Sequence, residues 1–202
     1  MPGEIREFLG AFLRRGPCQL GQVRLLPSYC LSHVEDEGTA GLQTFADPHD
    51  AIEIARYDDA GNYRPLKTAP NLRHGWRLGL KSLDEVSLAM DFLYPAALGT
   101  ALAFARGQLR SIDLRDTLAR QTGMYAVVRR ITDEQAASVI AATCNHTNGC
   151  LRRILWSISP GLATPLTQRE VPCAESEIPL LCAEACNLLV AAGRKMIKTP
   201  AA

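Results

Sequence analysis

The sequence predicts an α+β protein: a small mixed amino-terminal region over residues 1–125, followed by a mainly helical domain over residues 126–202. Three observations carry this expectation. Short strand-like runs separated by turn residues occupy the first third of the chain. Helix start signals recur at Asp47-Pro48, Ser82 and Thr132. Five of the seven cysteines, at 144, 150, 173, 182 and 186, lie in the last part of the chain, which marks that part as a unit with its own chemistry.

The elements follow in order. MPGEIREFLGAFLRRG mixes charged and apolar residues as an amphipathic helix does, and it lacks the charged-then-apolar order of a secretory leader. Gln22–Leu26 and Tyr29–His33 carry strand-forming residues around Pro27, and Glu35–Gly38 reads as a turn. Asp47 caps a helix with Pro48 at its first position, running from His49 to Tyr57, and the DDAGN turn at Asp58–Asn62 leads to a possible strand over Tyr63–Leu66.

Ser82 with Glu85 three residues later is a capping-box pattern. Leu83, Val86, Ala89, Met90 and Leu93 then repeat at helical steps, so one face of this helix is buried. Pro95 interrupts the helix, and an alanine-rich helix restarts from Ala96 to Arg106. Asp113–Gln121 predicts a short helix, and Met124–Ile131 (MYAVVRRI), β-branched and aromatic, predicts a strand. Thr132 and Gln135 frame another capping box that opens a helix to about Thr143. Four prolines between Ser157 and Pro179 predict a long loop, and a last helix is expected from Leu181 to Lys198.

Composition narrows the function classes. With 202 residues, 47% hydrophobic and 21% charged, and a net charge of +1, the chain has the make-up of a globular domain rather than a disordered one. Near-neutral charge argues against nucleic-acid binding, and the longest apolar run, Phe92–Ala105, falls short of the ~20 residues that span a bilayer. An odd cysteine count without a leader argues for thiols in a cytoplasmic protein rather than for a disulfide framework. No Gly-rich phosphate loop and no catalytic constellation can be assembled from the sequence, and His33, His49 and His74 are scattered along it.

The cysteines are spaced C-x5-C at Cys144 and Cys150, then C-x3-C at Cys182 and Cys186. Structural zinc sites favour pairs two to four residues apart on tight turns, so the first pair suits zinc less well. On the expected last helix, Cys182 and Cys186 fall one turn apart, ~6 Å along the axis, a spacing that suits neighbouring corners of an iron–sulfur cube better than one small ion. The NHTNG turn at 145–149 is able to wrap such a cluster with backbone N–H groups, and Arg152, Arg153, Arg194 and Lys195 would offset its negative charge. Cys173 is an alternative ligand read here as a spare thiol, His146 is read as a solvated turn residue, and Cys18 and Cys30 as small buried hydrophobes.

TCNHTNGCLRRILW and LCAEACNLLVAAGR resemble the carboxy-terminal [4Fe–4S] domain of multidomain relatives of the CbiX-type sirohydrochlorin chelatases. GNYRPLKTAPNLRHGW and LAMDFLYPAAL resemble the domain that stabilises it in those proteins. The resemblance runs from about residue 40 onward and implies Cys144, Cys150, Cys182 and Cys186 as ligands of a [4Fe–4S] cluster. The cysteine spacing is also similar to that of the sulfite and nitrite reductases, which hold such a cluster beside sirohaem. The metal-inserting histidines of the chelatases belong to α/β domains that precede the region matched here, so chelatase chemistry is not expected of this chain. The expectation is an iron–sulfur redox, electron-transfer or accessory protein of tetrapyrrole metabolism. Its expected partner is a redox protein or a chelatase-like chain, with a tetrapyrrole as a further ligand. The alternative is a zinc- or cluster-stabilised interaction module without a redox role.

Overall fold

A computed structural model describes residues 2–63, 72–144, 150–157 and 173–198. The expected NHTNG turn with His146, most of the proline-rich loop, and the end of the expected Tyr63–Leu66 strand lie outside them. The architecture is α+β, with the strands gathered in the amino-terminal region and helices dominating the rest.

Helix α1 (Pro2–Arg15) leads into a five-stranded sheet made of β1 (Cys18–Leu20), β2 (Val23–Leu25), β3 (Cys30–His33), β4 (Gln43–Phe45) and β5 (Trp76–Gly79). The order is β1-β2-β3-β5-β4, and every neighbouring pair is antiparallel except β4 with β5. Alternation is plain in β1 and β5, where Cys18, Leu20, Trp76 and Leu78 point inward and their neighbours outward. Helices α2 (Asp50–Arg56), α3 (Leu83–Leu93) and α4 (Ala97–Ala105) complete this layer.

Ser82 caps α3 as its sequence pattern requires: its hydroxyl accepts from the Glu85 N–H, and Val86, Ala89, Met90 and Leu93 form the buried face. Each large apolar side chain so buried contributes about 1.5–3 kcal/mol. After the break at Pro95 the chain turns by 106° into α4. Among the described residues no single helix is long and apolar enough to cross a membrane, and the apolar faces of α3 and α4 lie in the core.

A second core forms around α5 (Leu114–Ala119), α6 (Asp133–Thr143) and α7 (Asn187–Lys198), with Val128, Ile131 and Trp156 between them. The Thr132 capping box of α6 is complete, with both reciprocal hydrogen bonds in place. The structure corrects two expectations here. Gly123–Arg130 is a 3-10 helix rather than a strand. Among the described residues no strand lies beside it, and it packs instead on α7, whose Gly193 permits the approach: a Cβ there would stand 3.3 Å from Ile131 Cδ1.

The expected helix from Leu181 also begins later. Leu181–Cys182 is strand β7, paired in parallel with β6 (Arg153–Ile154), and α7 starts only at Asn187. Hydrogen bonds to both strand partners, Arg153 N–H to Leu180 O and Leu155 N–H to Cys182 O, each 2.8 Å, hold this segment extended.

The two cores are stitched together by the segment just before β7. Gln19 of β1 exchanges backbone hydrogen bonds with Ser176 and Ile178, 2.8 Å each, and Ile178 and Leu180 are buried in the amino-terminal core. The carboxy-terminal chain is thereby anchored to the exposed edge of the sheet.

Candidate metal centre

Four cysteines line a single cavity of about 270 Å³ at the junction of the two cores: Cys144, Cys150, Cys182 and Cys186. Each is placed by a different local device. Cys144 closes α6, its N–H donating to Ile140 O at 2.8 Å. Cys150 is held with its N–H on Thr143 O at 3.2 Å. Cys182 sits in β7, held by pairing with β6. Cys186 precedes the first turn of α7, where its carbonyl accepts from the Val190 N–H. The convergence of Cys182 and Cys186 therefore comes from a strand-to-helix turn and not from one helical face.

The surroundings suit anionic sulfur. The indole N–H of Trp156, a residue buried in the second core, donates to Cys182 Sγ at 3.3 Å, and the backbone N–H of Arg152 donates to Cys150 Sγ at 3.4 Å. The positive end of the α7 dipole lies beside Cys186. Without a cation the pocket disfavours thiolates: burial, reinforced by the three neighbouring cysteines, pushes the Cys144 thiol up to about 12. Burial also raises that of Cys182, partly countered by the Trp156 hydrogen bond. A donor set of four such sulfurs, with N–H groups aimed at two of them, fits a cationic iron–sulfur core.

Of the basic residues expected to tune the site, Arg152 lines the cavity. Its guanidinium is tied to two carbonyls, Leu181 O at 3.0 Å and Pro95 O at 2.8 Å, so it clamps β7 to the α3–α4 break. Arg153 departs from expectation, because the alternation of β6 sends it to the other side, where it pairs with Glu177 at 2.7 Å. Arg194 packs over the Tyr125 ring, 5.3 Å from its centroid.

Cys173 is exposed, does not line the cavity, and contacts Arg153 and the Glu177 carbonyl. Cys18 is buried as expected, and Cys30 is half-buried. The sequence reading missed three participants: Trp156, and Pro95 and Thr100, which the amino-terminal region contributes to the cavity wall. Trp156 stands six residues beyond Cys150 in the motif itself, whereas nothing local marks Pro95 or Thr100.

A cysteine-lined cavity between a helical region and a sheet-bearing one defines a protein with a candidate thiolate-ligated metal centre. Residues 106–195 match the family of 4Fe-4S iron-sulfur cluster binding domains, and residues 10–103 match the family of DR2241 stabilising domains. The chain is a relative of these two domains, and its cofactor is a [4Fe–4S] cluster. Among solved structures it is similar to DR2241 from Deinococcus radiodurans, at 34% identity with a TM-score of 0.79. That protein is described as multi-domain, with structural similarity to chelatases and two additional novel domains. The match covers 96% of this chain and 42% of DR2241, so the chain spans less than half the length of that relative. No curated protein matches the sequence.

Proposed function

We propose that Cys144, Cys150, Cys182 and Cys186 are the four cluster ligands, and that the chain serves as a redox or accessory protein of tetrapyrrole metabolism. The observation that carries the reading is the meeting of these four thiols in one cavity while Cys173 stays outside it. When bound, the cluster supplies one-electron oxidation and reduction. The residues around it do the rest. Trp156 and the Arg152 amide donate to ligand sulfurs, which stabilises added negative charge. Arg152 keeps β7 and the α3–α4 break together, so the walls of the site do not part.

Four cysteine ligands leave no iron position for a substrate, which favours electron transfer or structural support over catalysis on the metal. The link to tetrapyrroles is supported by the sequence resemblance to chelatase relatives and by the chelatase-like relative DR2241. A redox protein or a chelatase-like chain is the proposed partner, and the exposed rim of the cysteine cavity is where electrons would pass.

The test is anaerobic iron and sulfide analysis of the chain with EPR before and after reduction. Four irons and four sulfides per chain, with a signal on reduction, are expected, and alanine at any of the four cysteines should lose them while Cys173→Ala keeps them. Zinc in place of iron would establish the interaction-module reading. Iron lost from Cys173→Ala but retained by Cys182→Ala would overturn the ligand set.

A further inference from the structure

Away from the cysteines, the amino-terminal region brings together three groups that are far apart in sequence. One ring nitrogen of His33, one of His74 and a carboxylate oxygen of Glu35 all lie within 4.8 Å of one another. We propose that His33, Glu35 and His74 form a second metal site, for a divalent transition-metal ion of the zinc type, with Asp59 as the residue that positions His74. This does not rest on the cluster reading, since none of these residues lines the cysteine cavity.

The placement is built by the fold. His33 ends β3 and caps the 3-10 turn Val34–Asp36, so Glu35 follows directly on the same corner. Pairing of β5 with β3 brings the residues just before Trp76 to that corner, and Asp36 secures them by accepting from the Gly75 N–H at 2.7 Å. The rings of His33 and His74 then meet with centroids 3.9 Å apart.

Two features point to a cation between these groups. First, Asp59 grips His74 twice: one oxygen accepts from its backbone N–H and the other lies against Nδ1, both at 2.6 Å. Asp59 takes the Nδ1 side of the ring, and Nε2 faces the Glu35 carboxylate at 3.2 Å, so the position between them is one for a positive species, either a second ring proton or a metal ion that replaces it. A carboxylate on the far nitrogen of a histidine is also the arrangement that orients metal-bound imidazoles. Second, His33 is fully buried, and its Nε2 has no hydrogen-bond partner. Leaving a buried polar nitrogen unpaired costs ~1–3 kcal/mol.

The neighbouring cation, Arg73, is engaged elsewhere, by Gln43, Glu53 and the ring of Phe45. A tetrahedral ion with bonds of ~2.0–2.1 Å places ligand atoms roughly 3.4 Å apart, and the Glu35 side chain, 71% exposed, is free to swing inward. Two imidazoles and one carboxylate suit zinc and its neighbours better than calcium or magnesium, and three protein ligands leave a fourth position for water. His33 makes one exchange on loading. Its Nδ1 now accepts from the Glu35 N–H at 3.2 Å, so binding through Nε2 moves the ring proton to Nδ1 at the expense of that hydrogen bond.

The test is zinc titration of the full chain by calorimetry, followed by zinc-edge X-ray absorption, which separates nitrogen and oxygen neighbours at ~2.0–2.1 Å from sulfur at ~2.3 Å. One zinc per chain with nitrogen and oxygen neighbours is expected, whatever the cysteines hold. Glu35→Gln and His74→Gln should each weaken it at least ~10-fold, and Asp59→Asn by ~10–100-fold. Because Glu35 is exposed, its variant reads the site without disturbing the core. Zinc bound through sulfur alone, no binding, or binding unchanged in Glu35→Gln would overturn the proposal, leaving a proton as the species between His74 and Glu35.

Discussion

The indole N–H of Trp156 points at the sulfur of Cys182 from 3.3 Å, and both residues belong to the second core. A hydrogen bond to a ligand sulfur favours the more negative, reduced state of a cluster. Trp156→Phe keeps the ring and removes the donor. The expected result is unchanged iron content and a reduction potential lower by about 40 mV, taking ~1 kcal/mol for the bond and about 59 mV per tenfold for one electron. An EPR-monitored redox titration of the two proteins checks it.

Arg152 joins parts of the chain that no secondary structure joins, through Leu181 O and Pro95 O. In Arg152→Met the stem still packs, but both carbonyls lose a charged donor. Stability should fall by about 2 kcal/mol, and the variant should release iron to a chelator faster than the parent. Denaturant unfolding and a timed chelator assay measure the two effects. An unchanged release rate would show that the clamp does not guard the site.

Gly21 and Tyr94 meet in the amino-terminal core. The Gln22 N–H donates to Tyr94 Oη at 3.0 Å, and a Cβ on Gly21, whose φ is +58°, would stand 2.8 Å from the ring. Gly21→Ala therefore carries both a left-handed backbone cost and an overpacking cost, together about 2–4 kcal/mol. Tyr94→Phe keeps the ring and removes the acceptor of the Gln22 N–H, a loss of about 1 kcal/mol for that hydrogen bond. In the double variant Gly21→Ala/Tyr94→Leu, removal of the ring should recover part of the alanine cost, as a thermal-unfolding cycle would show.

Cysteine reactivity should divide by burial. Burial pushes the Cys18 thiol up to about 11, so near pH 8 roughly one molecule in a thousand carries its thiolate, the reactive form. Cys173 is exposed. Iodoacetamide on the folded, cluster-loaded chain should label Cys173 first and leave Cys18 unlabelled until denaturant is added, as peptide mass spectrometry would report. Labelling of Cys18 at the same rate would mean that β1 opens readily.

What the sequence alone determined is what local interactions decide. Ser82, Asp113 and Thr132 each start a helix because a cap closes over two or three residues and needs no distant partner. The chemistry of the cysteines is equally local, since thiol donors are named by residue type. Tertiary structure decided the rest. Met124–Ile131 has the composition of a strand, yet it packs on α7 and most of it coils as a 3-10 helix. Leu181–Cys182 has the periodicity of a helix start, yet pairing with Arg153–Ile154 holds it extended and turns Cys182 toward the cavity. The insertion of β5 between β3 and β4 stacks His74 on His33, forty-one positions apart. Strand pairing draws its hydrogen bonds from remote segments, so neither the pairing nor the orientation it gives to the side chains of a site can be read along the chain.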